Sequence, residues 1–110
     1  IEASIDSDHM AWFIAENKDG YIGMMGGFVT EYSISYEKYA ADFLLFVLEE
    51  KRGGTAAKEL LYEFEKWAKL KGAKEIRLGS SHGIEIEKVK GFYESENYKT
   101  IGHLFRKEIE

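Results

Sequence analysis

An unbroken apolar run that leads into a glycine pair and an amphipathic helix is the feature that most limits the folds open to this chain. The run ADFLLFVL at residues 41–48 has the length of one strand and no polar alternation, which is typical of a strand covered on both faces. Gly53 and Gly54 follow it, and apolar side chains then recur at spacings of three and four from Ala56 to Ala68. With a short strand predicted at residues 74–79, this order predicts a right-handed crossover that joins two parallel strands.

Two helices have recognisable ends in the sequence. The first is predicted to run from Thr55, whose side chain can cap its start, to Lys71, with Gly72 placed for a left-handed termination. A second helix is predicted after the loop at residues 80–83, and Asn97 suits the left-handed position at its end. The apolar face of this second helix is formed by Ile86, Val89, Phe92 and Tyr93.

The segment before the apolar run predicts a β-hairpin. Residues 11–16, AWFIAE, favour a strand, Asp19-Gly20 suits a tight turn with positive φ, and residues 21–32 predict the returning strand. Glycines inside that second strand indicate a bulge or a closely packed neighbour; they are Gly23, Gly26 and Gly27. Residues 34–40 are predicted to be a polar connection.

The two ends of the chain are expected to differ. Residues 1–10 are interpreted as a loop, poorly ordered or the remnant of an absent helix, and because the sequence begins with Ile1 we expect an N-terminal segment to be missing. Residues 98–109 predict a final strand. The resulting order of strands and helices predicts an α/β protein with a mixed sheet.

Composition narrows the classes of function. A chain of 110 residues has room for one domain, residues 1–110, and a net charge of −5 argues against a nucleic-acid-binding protein. The absence of cysteine excludes disulfides, thiolate zinc sites and a cysteine nucleophile, and the isolated histidines predict no metal site. No apolar run has the length of a membrane span, so we expect no membrane partner and take a cytoplasmic location as the default.

The glycine turn is the segment with the most chemical information. Glycines between a strand and a helix let backbone amides point outward at the positive end of the helix dipole, where they can bind phosphate groups. Residues 52–58, RGGTAAK, contain neither the P-loop ending nor the dinucleotide-binding spacing, so nucleotide hydrolysis is not predicted. On spacing alone, a turn that merely reverses the chain explains Gly53 and Gly54 equally well.

Two motifs resemble those of the GNAT acyltransferase superfamily. Residues 47–57, VLEEKRGGTAA, resemble the strand and Arg/Gln-x-x-Gly-x-Gly/Ala turn of that family, with Arg52 and Ala57 at the first and last positions and Thr55 in place of the glycine. Residues 91–98, GFYESENY, resemble the family's Phe-Tyr-Glu-x-x-Gly-Phe/Tyr segment. The resemblance implies a mixed, mostly antiparallel sheet with a central parallel βαβ unit and helices on both faces, lacking the usual N-terminal strand and helices.

The resemblance also implies acetyl-CoA as co-substrate and assigns residues to it. The pantetheine arm would lie along the backbone of Leu45, Phe46 and Val47, between two diverging strands. The pyrophosphate would bind the amides of the turn and helix start, with Arg52 or Lys58 supplying positive charge; the residues implied are Arg52, Gly53, Gly54, Thr55, Ala56, Ala57 and Lys58. The hydroxyl of Thr55 could donate a hydrogen bond to a phosphate.

By the same resemblance, Tyr93 would be the general acid that protonates the departing CoA thiolate. A phenol with an ordinary pKa near ~10 stays protonated at neutral pH, as that role requires. On periodicity alone, Tyr93 simply fills the apolar face of its helix beside Val89 and Phe92.

The general base and the acceptor are left open by the sequence. Asp42, Glu31, His82 and water are the candidate bases for deprotonating an acceptor amine, which would be a small molecule or a peptide. A homodimer is one way to complete a sheet edge left open by a missing first strand. The implied function is N-acetylation by direct attack in a ternary complex, and the alternative is an inactive GNAT-like module that binds CoA or a protein.

Overall fold

The computed structural model describes residues 2–6, 9–31, 37–48, 52, 54–79, 86–99, 101 and 106–109, with the backbone alone at 2–6 and 86–89. Its elements follow in chain order as β1 (Glu2–Asp6), β2 (Met10–Asn17), β3 (Gly20–Glu31), β4 (Lys38–Val47), α1 (Ala56–Leu70), β5 (Ala73–Arg77) and α2 (Ile86–Ser95). The five strands form one sheet in the order β1-β2-β3-β4-β5.

The sheet is mixed and mostly antiparallel, as predicted. Strands β1 to β4 pair antiparallel with their neighbours, and β4 pairs parallel with β5 through the connection made by α1. The parallel unit was expected at the centre of the sheet, but β5 is the last of the described strands on its side. The α/β class and the strand–helix–strand unit are therefore confirmed, with the parallel pair at one end of the described sheet.

The interpretation of residues 1–10 as a loop was wrong. Strand β1 pairs with β2 from Glu2 opposite Ile14 to Asp6 opposite Ala11, and it occupies the edge of the sheet. The sequence IEASID alternates apolar and polar residues with the period of a strand, a signal that the short length of the segment concealed. The expectation that no strand would precede β2 is corrected with it.

The hairpin of β2 and β3 is confirmed in detail. Gly20 has a φ of +117°, and the side-chain oxygen of Asn17 accepts a hydrogen bond from the Asp19 amide at 2.8 Å, which fixes the tight turn. The predicted irregularity is present as a register shift between Gly26 and Gly27 against β4. A Cβ at Gly27 would overlap the Ala41 carbonyl and the Phe64 ring, so close packing against α1 requires glycine there.

Strand β4 differs from its prediction in two respects. It begins at Lys38, inside the segment expected to be a connection, of which residues 34–36 lie outside the described part of the chain. It is also not covered on both faces, because Phe43 is 45% exposed. Phe43 is the residue that the register shift leaves unpaired, and its ring packs on the open face against Trp12 and Phe28 at centroid distances of 5.6 and 5.0 Å.

Helix α1 was predicted to within one residue at each end. Leu60, Leu61 and Phe64 are fully buried and pack its apolar face against the sheet, as the three-and-four spacing indicated. Gly72 has the left-handed φ of +88° after the helix, and Asn97 has a φ of +72° after α2, both as predicted.

The final strand predicted at residues 98–109 is not found in the described part of that segment. Residues 98–99, 101 and 106–109 have no strand pairing. Instead, the Tyr98 amide donates to the Tyr93 carbonyl, and the Tyr98 hydroxyl donates to the Glu65 carboxylate on α1. Tyr98 therefore connects the end of α2 to α1 and does not begin a strand.

Candidate active site

The candidate site is the gap where β4 and β5 diverge. Their parallel pairing begins at Lys38 opposite Ala73 and ends at Ala41 opposite Arg77, although β4 continues to Val47. We call the space along β4 from Asp42 to Val47, on the side of β5, the wedge. The described residues place no strand against this edge of β4, so its backbone groups there are open to a ligand.

Asp42 lies at the apex of the wedge. Its Oδ1 accepts a hydrogen bond from the Gly79 amide at 3.0 Å, which ties the two strands together at the point where their pairing stops. Burial raises the pKa of Asp42, and the hydrogen bond from the Gly79 amide partly offsets that rise. The result is a carboxylate that takes up a proton more readily than an ordinary surface aspartate.

The backbone of β4 alternates between the wedge and β3. The Leu48 amide donates to the Ile22 carbonyl of β3 at 2.8 Å, so the polar groups of Val47 and, two residues earlier, Leu45 point to the opposite edge. A Cβ at Gly23 would overlap the Phe46 carbonyl, which confirms that Phe46 directs its backbone at β3. Leu45 and Val47 thus face the wedge as the expected pantetheine site requires, whereas the backbone of Phe46 does not.

The side chain of Arg52 reaches across the far end of the wedge. Its Nε donates to the Val47 carbonyl at 2.9 Å, and its guanidinium carbon lies 5.8 Å from the centroid of the Phe46 ring. These contacts hold the positive charge beside the end of β4. They also occupy one of the two carbonyl groups that face the wedge.

The start of α1 presents amides without intrahelical acceptors. The first helical hydrogen bond runs from the Glu59 amide to the Thr55 carbonyl at 2.9 Å, so the amides of Ala56, Ala57 and Lys58 lie ahead of the hydrogen-bonded part of the helix. Gly54 is exposed at the turn. Gly53 lies outside the described residues, and its predicted contact remains a prediction.

Thr55 takes the N-cap position but does not cap the helix with its side chain. Its backbone is near-helical, with φ −100° and ψ −2°, and its hydroxyl donates to Glu59 Oε1 at 3.2 Å. The hydroxyl that was expected to contact a phosphate therefore contacts a carboxylate. The physical reason is that Glu59 lies one helical turn away on the same side of α1.

An open cavity of about 220 Å³ lies on the hairpin side of this helix start. Two of its lining side chains are the carboxylates of Glu16 and Glu59, and both are exposed. The cavity is also lined by Gly54, Thr55 and Ala56, so the two carboxylates lie on one side of the start of α1 and disfavour an anion on that side. The open edge of the wedge lies on the other side of β4 and has no carboxylate among these lining residues.

Tyr93 is half-buried and lies within electrostatic reach of Asp42. Burial raises the pKa of the Tyr93 phenol, and the negative charge of Asp42 raises it further. Its ring packs between those of Phe92 and Tyr98, at centroid distances of 5.6 and 5.9 Å. A hydroxyl that stays protonated beside a carboxylate has the properties of a proton donor.

The other two candidate bases are not brought to this place by the described structure. Glu31 is exposed and pairs in register with Lys38, at the opposite end of β4 from Val47. His82 lies outside the described residues.

Sequence reasoning also missed two contacts between α1 and the end of α2, Lys58 with Glu96 and Tyr98 with Glu65, because each joins residues more than thirty positions apart.

The sheet is antiparallel except for its last pair, β4 and β5, which is parallel and diverges beside the start of α1, and comparison with known proteins identifies the family that has this fold. The family model "Acetyltransferase (GNAT) family" matches residues 1–95, most of the chain. The chain belongs to the GNAT acetyltransferase family, and its fold is the fold of that family.

Solved structures give the same result. A protein from Pyrococcus furiosus described as a candidate acetyl transferase is 29% identical, with a TM-score of 0.75 over 91% of this chain and 66% of that one. Glucosamine-6-phosphate N-acetyltransferase from Arabidopsis thaliana is 16% identical, with a TM-score of 0.81 over 94% and 69%. An aminoglycoside N-acetyltransferase in complex with CoA is 20% identical, with a TM-score of 0.78 over 94% and 78%.

The extent of these matches is also informative. This chain spans about two thirds of the length of the Pyrococcus furiosus and Arabidopsis thaliana relatives. A search of curated proteins finds no match. Neither of the described helices is long and apolar enough to cross a bilayer.

Proposed function

We propose that the chain is an acetyl-CoA-dependent N-acetyltransferase in which an acceptor amine attacks the thioester directly in a ternary complex. The observation that carries this proposal is the edge of β4 beyond Ala41, which has no strand partner among the described residues and leads to the start of α1. A long ligand with amides in its middle and phosphates at one end matches that arrangement. CoA is such a ligand.

The backbone supports an assignment of each part of the coenzyme. The amide and carbonyl of Leu45 and the amide of Val47 would form hydrogen bonds with the pantetheine arm as an added strand does, while the Val47 carbonyl accepts from Arg52. The amides of Ala56, Ala57 and Lys58, at the positive end of the α1 dipole, would bind the diphosphate. The thioester would then lie towards the apex, near Asp42 and Tyr93.

The chemistry follows from those two side chains. Asp42 accepts a proton from the acceptor ammonium, and the free amine attacks the carbonyl carbon of the thioester. The new carbon–nitrogen bond forms as the carbon–sulfur bond breaks, and Tyr93 donates its hydroxyl proton to the departing thiolate. The nitrogen then loses its second proton, which passes through water to the tyrosinate and restores the phenol, and Asp42 returns its proton to solvent. Because its pKa is raised, the Tyr93 phenol is protonated at neutral pH and can transfer its proton as negative charge develops on the sulfur.

A second candidate function is a GNAT-like module that binds CoA, or another protein, without turnover. Two observations favour it. The hydroxyl of Thr55, at the position where the family motif has glycine, contacts Glu59, and Arg52 already occupies the Val47 carbonyl. Both features would weaken coenzyme binding at the turn, so they favour the form of this module that binds another protein.

One pair of measurements separates the two functions. Isothermal titration with acetyl-CoA measures binding, and thiol release measures turnover on a panel of amines. Because neighbours are named for an aminoglycoside and for glucosamine 6-phosphate, the panel contains both, with a peptide that has a free N-terminal amine. Tight binding with thiol release supports the enzyme, and tight binding without release supports the CoA-binding module. No binding of acetyl-CoA contradicts both of these and leaves only a module that binds another protein.

The variant Tyr93→Phe tests the proposed acid. Loss of one positioned proton donor is expected to lower turnover about 10²- to 10⁴-fold while coenzyme affinity stays nearly unchanged, since the ring packing is retained. Tyr98→Phe is the matched control, because it removes a neighbouring phenol whose hydroxyl is bound to Glu65. Unchanged turnover in Tyr93→Phe would remove Tyr93 from the mechanism.

The homodimer and the cytoplasmic location remain predictions.

A further inference from the structure

A carboxylate in the turn directly after α2 faces the first turn of α1. Glu96 Oε2 and Lys58 Nζ lie 3.7 Å apart, and the Glu96 side chain is 11% exposed, whereas that of Lys58 is 49% exposed. Tyr62, one turn further along α1, lies close to Glu96, and the carboxylate raises the pKa of the Tyr62 phenol. Glu96 is therefore a largely buried carboxylate between two helices, with Lys58 as its cation.

The position of Glu96 makes it dependent on that cation. Its amide donates to the carbonyls of Phe92 and Tyr93, which are among the last carbonyls of α2. The C-terminal end of a helix carries partial negative charge, so a carboxylate is disfavoured there unless a cation lies close. Lys58 meets this need as long as no stronger anion competes for its ammonium group.

Lys58 is also the third residue of α1, beside the amides assigned to the coenzyme diphosphate. We propose that Glu96 sets the affinity for phosphorylated coenzyme by competing with its phosphates for Lys58. This inference rests on the proposed function. When the coenzyme binds, the ammonium group turns from the carboxylate to a phosphate, and Glu96 stays beside Tyr62. Glu96 acts through Lys58 and does not itself touch the coenzyme.

Glu96→Gln is the direct test. It keeps the shape of the side chain but removes the charge that competes for Lys58. Isothermal titration at low ionic strength should give a dissociation constant for CoA about three- to tenfold lower than in the wild type, and ~0.5 M salt should reduce that gain. Pantetheine, which has no phosphate, should bind both proteins equally.

Two controls isolate the competition from the change in net charge. Glu63→Gln removes a carboxylate that pairs with Lys66 at 3.4 Å elsewhere on α1, and it should leave CoA affinity unchanged within about twofold. Lys58→Gln should weaken CoA binding, and adding Glu96→Gln to it should give no further gain. Circular dichroism checks the fold of each variant, and Glu96→Ala gives a second test with the same expected direction.

Several results would overturn the inference. One is CoA affinity that stays equal or falls in both Glu96 variants; another is an equal gain in Glu63→Gln or with pantetheine. A wild type that binds CoA while the Glu96 variants show no gain contradicts this inference alone. A wild type that does not bind CoA at all contradicts the proposed function, and this inference with it.

Discussion

Replacement of Asp42 separates two tasks that the structure assigns to one side chain. Its carboxylate ties β4 to Gly79 through one hydrogen bond and is the candidate base beside Tyr93. Asp42→Asn retains an oxygen that can accept the Gly79 amide but cannot take up a proton. Asp42→Ala removes both the acceptor and the base.

The two variants should therefore agree in turnover and differ in stability. Loss of a positioned base is expected to lower thiol release by about 10²- to 10⁴-fold in both. Because Gly79 is exposed and water can replace the lost partner, Asp42→Ala should have an unfolding free energy only about 0.5–1.5 kcal/mol below that of Asp42→Asn, which also lacks the charge but keeps an acceptor for the hydrogen bond. Asp42→Asn should keep the CoA affinity of the wild type, and at neutral pH it should be somewhat more stable in urea, because it lacks the charge whose burial raises the pKa of Asp42.

The pH dependence gives a further check on Asp42. Its pKa in the folded protein is raised above the ordinary 3.8, so the folded state holds the proton more tightly than the unfolded state. The stabilisation of the folded state by this bound proton is fully present below pH 3.8 and is lost as the pH rises through the pKa that Asp42 has in the folded protein. Asp42→Asn should abolish this fall in unfolding free energy.

Turnover close to that of the wild type in Asp42→Asn would refute its role as the base and leave that role to His82 or to water. Unfolding free energy in Asp42→Ala equal to that of Asp42→Asn would refute the structural role of the hydrogen bond to Gly79. Each half of the reasoning can thus fail independently of the other.

Three further results are expected. Gly27→Ala should lose about 1–3 kcal/mol of unfolding free energy in urea, since its Cβ would overlap the Ala41 carbonyl and Phe64. Gly91→Ala has open space around it in α2 and should gain up to about 1 kcal/mol. Equal urea midpoints for the two variants would contradict the packing argument. Thr55→Gly should lower the CoA dissociation constant in titration, because closer backbone approach becomes available, and a weaker complex would show that the hydroxyl contributes to binding. Because the pKa of Tyr93 is raised above 10.0, a pH–rate profile should show no loss of turnover from ionisation of Tyr93 up to pH 10. A fall in turnover below pH 10 that is absent in Tyr93→Phe would contradict this.

Local signals in the sequence were sufficient for the elements that carry the site. The spacing of Leu60, Leu61 and Phe64 predicts α1, and Gly72 predicts its end, because helix periodicity and left-handed termination act within a few residues. The strand at Glu2–Asp6 was missed because five residues give too little alternation to distinguish a strand from a loop.

Contacts between distant parts of the chain could not be derived in the same way. The bond from the Gly79 amide to Asp42 joins residues 37 positions apart and depends on where β4 and β5 stop pairing. The pairing of Lys58 with Glu96 depends on how the end of α2 meets α1. Phe46 was assigned to the pantetheine arm from the motif, and only the register with β3 shows that its backbone points the other way.

Amide chemical-shift mapping with CoA tests the central claim most directly. The account predicts that the amide signals of Ala56, Ala57 and Lys58 shift on addition of CoA, together with those of Leu45 and Val47 along the wedge. Pantetheine should shift the signals of the wedge and leave those of the helix start unchanged. If CoA leaves the three helix-start amides unperturbed, or shifts instead the residues around Glu16 and Glu59, the assignment of the coenzyme site is wrong.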